Sequence, residues 1–140
     1  MVEREPNTLE KFKTALQSKD QNQIDKVVYL IEPSFLDSET ISILNELLTD
    51  PNHRSHQRVI WLLQKAKSPS TVPYIKRALE TNFDYLEYTY SESGVIAKWF
   101  SWALAEIGTE QAILLMKEYT NSPDEGIKNQ MLYRLNKIQK

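Results

Sequence analysis

His53 and His56 are the two imidazoles of the chain, and with Asp50 they spell D-x-x-H-x-x-H. That spacing could bring two nitrogens and a carboxylate near one helix face, the kind of donor set that holds a transition metal. An i, i+3 pair aligns less well than the i, i+4 pair of a zinc helix, and this one falls where a helix is beginning. The expectation is two solvated histidines and no metal or other cofactor. Nucleophilic catalysis needs a nucleophile, a base and a third group that orients the base. Nothing in the spacing of the scattered Ser and Thr picks out such a set. Asp124 and Glu125 form a carboxylate pair, but they sit at a predicted helix start, where they complement the dipole. Enzymatic activity is therefore not expected.

Residue types that favour contact are more conspicuous. The stretch FDYLEYTYSESG, residues 83–94, puts one Phe and three Tyr within eight residues, mixed with Asp84, Glu87 and Glu92 and without a cation. Tyrosine offers a large contact area, few rotors and a polar tip, which is why it recurs in binding hot spots. Asp84, Tyr85, Glu87, Tyr88, Tyr90 and Glu92 are thus candidate partner-binding residues. Further on, a helical projection places Val95, Trp99, Trp102 and Glu106 in one stripe, beside a second made of Ile96, Phe100, Ala103 and Ile107. The charge in the first stripe implies that it reaches solvent, so Trp99, Trp102 and Glu106 join the candidates. The competing expectation is that the indoles fill space between helices and that Phe83, Tyr85 and Leu86 pack back against the fold.

The elements that must position these residues read as helices almost throughout. Eight segments of roughly 10–15 residues carry apolar positions at helical spacing, joined by short connections. The second stops before Pro33, the third is opened by Ser38 and ended by Asp50–Asn52, and the fourth begins near Arg54. Pro69 starts the fifth in its first turn. Gly108 is placed for a left-handed cap, with Thr109 capping the next helix. Only FDYLEYTY alternates like a strand. At 140 residues, the chain has the size of one domain spanning 1–140, of all-α class.

Helix pairs recur at starts near 38, 69 and 109, a period typical of α-solenoids. The unit SPSTVPYIKRAL (68–79) followed by GVIAKWFSWALAEIGTEQAILLMKEY (94–119) resembles the HEAT-repeat family. Pro69 and Val72 open its first helix, and Ala103-Leu104, Ile107-Gly108 and Ala112 match the A-L-x-x-I-G-x-x-x-A segment of that consensus. The match is good over 68–138 and poor over 38–66. The resemblance implies a short, right-handed HEAT-like α-solenoid of about four stacked helix pairs, in which 81–93 is a loop insertion between paired helices. HEAT-like enzymes similar to deoxyhypusine hydroxylase hold iron through His-Glu dipeptides, which this chain lacks. HEAT-like DNA glycosylases use a basic concave surface.

Charge bears on the partner. Net charge is −2, but residues 81–126 carry Lys98 and Lys117 against eight acids, a net of −6, while 127–140 carries +4. An acidic segment repels phosphate and attracts basic partners, so nucleic acid is not expected. The basic set Arg54, Arg58, Trp61 and Lys65 on the fourth helix reads as wet surface. No apolar run approaches a membrane span, the start MVEREPNTLEKF lacks an apolar signal core, and cysteine is absent. The expected setting is cytoplasmic. The expected function is a non-enzymatic protein-binding module. Its small, acidic, cysteine-free solenoid character resembles bacterial immunity proteins that neutralise contact-dependent growth-inhibition toxins, implying a basic, nuclease-type toxin domain as partner. A general scaffold or regulatory adaptor is the alternative, with a HEAT-like enzyme behind it.

Overall fold

The computed structural model describes residues 8–81, 83–89 and 91–138; the side chains of Thr8, Leu9, Phe35, Asp84 and Glu87 are outside the description. Among the described residues the fold is all-helical: α1 (Thr8–Ser18), α2 (Gln21–Leu30), α3 (Ser38–Leu48), α4 (His56–Ala66), α5 (Val72–Glu80), α6 (Ser93–Ile107), α7 (Glu110–Tyr119) and α8 (Glu125–Ile138). Short 3-10 turns at Pro33–Phe35, Pro69–Thr71 and Asp84–Thr89 complete it. The segment that alternates like a strand in sequence is therefore a 3-10 turn. None of the described helices is long and apolar enough to cross a membrane.

Boundaries follow local chemistry. Asp20 accepts the Asn22 and Gln23 N–H groups at 2.9 and 3.2 Å, and Asp37, one residue before the expected Ser38, accepts that of Thr40 at 2.8 Å. Each satisfies donors that a first helical turn leaves free. Thr109 does the same for Ala112 at 3.2 Å and Asp124 for Ile127 at 3.0 Å. Gly108 closes α6 in the left-handed region at φ 69°. Lys67 closes α4 there too, at φ 54° and without the freedom of a glycine. α4 begins at His56, two residues later than its periodicity implies.

Packing runs between alternate helices. α2 lies on α4, α4 on α6 and α6 on α8, while α3 lies on α5 and α5 on α7. The even-numbered helices thus form one row and the odd-numbered α3, α5 and α7 another, with α1 against α2, α3 against α4 and α7 against α8 across them. The core between the rows is built from Val28, Leu44, Leu48, Val59, Leu62, Leu63, Ile75, Leu79, Phe100, Leu104, Met116 and Met131, all essentially buried. A buried polar link fixes the turn before α5: Thr71 Oγ1 donates to Asn45 Oδ1 at 2.8 Å and Asn45 Nδ2 to Ser70 Oγ at 3.1 Å. α6 and α8 start in close contact. A Cβ on Gly126 would fall 2.5 Å from the Gly94 nitrogen, so only glycine permits this approach.

Candidate functional site

The residues that sequence reasoning singles out separate into a buried network and an open face. The network grows from the end of α3. A helix leaves its last carbonyls without partners, and here no glycine follows to fold the chain back onto them. The Asp50 N–H reaches Leu47 O at 3.3 Å, and side chains supply the further donors. His53 Nε2 lies 2.6 Å from Leu47 O, His56 Nε2 2.7 Å from Asp50 O, and the Tyr85 hydroxyl donates to Leu48 O at 2.8 Å. Each carbonyl can only accept, so both imidazoles carry their proton on Nε2. Their Nδ1 atoms must then be acceptors. His53 Nδ1 receives the Ser55 N–H at 3.0 Å, and His56 Nδ1 receives the Tyr88 O–H at 2.6 Å. The same Tyr88 oxygen accepts the His56 backbone N–H at 3.2 Å.

Burial reinforces this assignment. His53 and His56 are 1% and 2% exposed and stack with ring centroids 3.8 Å apart, which corrects the expectation of solvated histidines. Desolvation, aided by its stacked neighbour, pushes the His56 pKa down to about 4, and desolvation lowers that of His53 as well. Asp25 stands 4.0 Å from His53 Nδ1, but it accepts the Arg54 N–H and the Ser55 O–H, at 2.9 and 2.6 Å, and faces a neutral ring. Burial raises the Tyr85 and Tyr88 hydroxyls. Among the described residues no group of three or more His, Asp and Glu is placed to hold a metal. Asp50 offers His56 its carbonyl, while its carboxylate accepts the Asn52 N–H at 2.9 Å.

Around this network the aromatic insertion folds inward. Phe83 and Leu86 are buried, and Phe83 stacks on Phe100 at 5.5 Å between centroids. Phe83 holds φ 64°, a left-handed conformation that costs a bulky side chain energy. Tyr85 and Tyr88 are half-buried against the core. Glu92 is exposed at the start of α6 and makes no capping bond. Tyr90 and the side chains of Asp84 and Glu87 lie outside the described residues.

The second set lies open along the even-numbered row. Trp99 is half-buried against the core, whereas Trp102 is 39% exposed and carries the Arg134 guanidinium 4.1 Å above its ring. Glu106 pairs with Lys67 at 3.5 Å. Arg134 also lies 5.3 Å from the Tyr133 ring, with Lys137 over the same ring at 5.4 Å. The arrangement recurs on α4: Arg58 lies 4.8 Å from the Trp61 ring and 5.9 Å from that of Tyr29 on α2, with Lys65 over Trp61 at 5.6 Å. Of these residues the sequence flagged Arg58, Trp61, Lys65 and Trp102; Tyr29, Tyr133, Arg134 and Lys137 were missed. The available signal was repetition: an exposed aromatic with cations within one helical turn, on both α4 and α8.

No protein-family model matches the chain, and no curated protein or solved structure matches it.

Proposed function

We propose that this protein is a non-enzymatic protein-binding module, a short HEAT-like α-solenoid that offers its row of even-numbered helices to a partner. The carrying observation is where large apolar side chains reach solvent. Tyr29, Leu30, Trp61, Val95, Trp102, Leu132, Tyr133 and Ile138 all sit on α2, α4, α6 and α8, and among the described residues only Leu114 departs from that row. Exposed aromatics gathered on one face mark interaction surfaces, and Trp, Tyr and Arg are the side chains that dominate binding energy. The i to i+2 packing of helices in two rows supports the solenoid reading. Support for a non-enzymatic role comes from the buried network, whose imidazoles and hydroxyls are saturated by one another and by backbone carbonyls. Capture from lysate with wild-type bait and a Trp61→Ala/Trp102→Ala variant tests this reading. Loss of the captured partner in the double variant is expected, and equal capture by both would sink it.

A second reading keeps the acidic part of the chain as the contact and the role as toxin immunity. An open cleft of about 470 Å³ lined by Leu79, Glu80, Glu118, Tyr119, Asp124 and Ile127 favours it, since three carboxylates there could meet a basic domain. Charge reversal at Glu80 and Glu118 would abolish that binding and leave the aromatic-face partner untouched.

A further inference from the structure

The partner-binding reading says where contact occurs but not what is bound. The charge on that row answers this. Helices α2, α4, α6 and α8 hold seven Lys and Arg against Asp25, Glu106 and Glu125. Asp25 is engaged with Arg54 and Ser55, and Glu106 with Lys67. The acids that give 81–126 its negative sum fall mostly elsewhere, on α7 and in the joins. The face that exposes the aromatics is therefore cationic.

Two guanidiniums organise it in the same way. Arg58 reaches over Trp61 of its own helix and Tyr29 of the helix before, and donates Nη2–H to Ile31 O at 3.0 Å. Arg134 reaches over Tyr133 of its own helix and Trp102 of the helix before. Stacking holds a planar guanidinium in place, so less rotamer freedom is lost when it binds an anion. Among the described residues neither arginine has a carboxylate within ion-pair distance, and their Nε atoms are the two buried side-chain polar atoms without a hydrogen-bond partner. On the other row the equivalent stack of Arg77 on Tyr74, at 4.7 Å, is already accompanied by an acid, with the Tyr74 hydroxyl donating to Glu46 at 2.9 Å.

We infer that this face binds an acidic protein segment, with carboxylates taken by Arg58 and Arg134 and apolar side chains laid against the exposed aliphatics of the same row, Leu30, Val95 and Leu132. The inference rests on the protein-binding reading and specifies its ligand. Carboxylate fits the fork of a stacked guanidinium bidentately. Single-stranded nucleic acid would instead need bare ring faces for its bases, and Tyr29, Trp61, Trp102 and Tyr133 each already carry a cation.

The test pans random 16-residue peptides against the immobilised protein, then measures one enriched fluorescent peptide by anisotropy. Enrichment in Asp and Glu is expected, with Kd raised about tenfold for Arg58→Gln and again for Arg134→Gln, the scale of losing one charged hydrogen-bond pair. Arg77→Gln should leave Kd unchanged. Arg134→Lys retains charge without the planar fork and should weaken binding several-fold, while circular dichroism checks that each variant is folded. Acidic peptides indifferent to both substitutions, enrichment without acids, or tighter binding of oligo-dT or phosphatidylserine vesicles than of the peptide would each overturn the inference. Basic or neutral peptides that bind and are lost in Trp61→Ala/Trp102→Ala would overturn the acidic ligand alone, leaving the protein-binding reading intact. No enriched peptide together with unimpaired lysate capture by that double variant would remove both.

Discussion

Tyr85 and Tyr88 turn their hydroxyls inward, to a backbone carbonyl and an imidazole, whereas Trp61 and Trp102 stay open and hold cations against their rings. Both regions concentrate aromatic side chains beside titratable groups. They differ in what satisfies the polar partner. At the end of α3 and just beyond it, the carbonyls of Leu47, Leu48 and Asp50 take side-chain donors from two histidines and a tyrosine in a buried site. Along the even-numbered row the demand is smaller: Arg58 gives one Nη2–H to Ile31 O, and neither arginine is paired with a carboxylate among the described residues. Aromatic density alone does not locate a contact surface. The deciding question is whether the fold has already used the polar tips.

Substitutions that break the inward region should act on stability, and those on the open face on binding. The largest effect is expected for His56→Ala. It leaves Asp50 O without its side-chain donor and the Tyr88 O–H proton without its acceptor in a buried site, and opens a void, costing about 3 kcal/mol, read as a lowered urea midpoint. Acid should act on the same group with nearly the same size. Unfolded His56 titrates near pH 6.5 and folded His56 near pH 4, so the unfolded chain alone takes up the proton between them. Stability that is complete above pH 6.5 is lost as pH falls to about 4, by about 3 kcal/mol for this residue, with His53 adding in the same direction. Urea midpoints at pH 7.5 and pH 4.5 check the sign, and a flatter dependence in His56→Gln assigns it. Tyr88→Phe removes one hydroxyl and should cost about 1–2 kcal/mol by the same measurement. The smallest stability effect is expected for Trp102→Ala, about 1 kcal/mol or less, since it loses one exposed cation–π contact. A Trp102→Ala protein that unfolds as readily as His56→Ala would dissolve the distinction between the two regions.

The helical class and most boundaries were legible because they are written locally. Pro33, Gly108 and Thr109 act where the sequence puts them, while Pro69 opens a 3-10 turn and α5 starts three residues later, at Val72. The fate of the histidines was not legible. His53 and His56 look solvated when read beside Asp50 and Asn52, and they are buried because Tyr85 and Tyr88, some thirty residues later, close over them. The alternation in FDYLEYTY misled for a related reason. Phe83 and Leu86, three residues apart, are the buried pair, a spacing that a 3-10 turn serves and a strand does not. The charge of the open face was hidden differently. Counting along the chain gave an acidic block, but helices alternate between rows, so a run of sequence mixes two surfaces. Arg58 and Arg134, 76 positions apart in numbering, belong to one surface, while Glu110 and Lys98, much nearer each other, sit on different rows.

The approach of Gly94 to Gly126 at the start of α6 and α8 has a geometric consequence further along. Trp102 and Arg134 each lie eight residues beyond their glycine, about 12 Å at 1.5 Å per residue. Two helices running side by side from a common origin keep step, so the position of that origin dictates which residues meet at the far end. A shift of one residue would turn each side chain by about 100° and carry the guanidinium off the indole. A pair of positions without side chains thus serves as the zero mark of a ruler on which an aromatic and a cation are set at the same graduation.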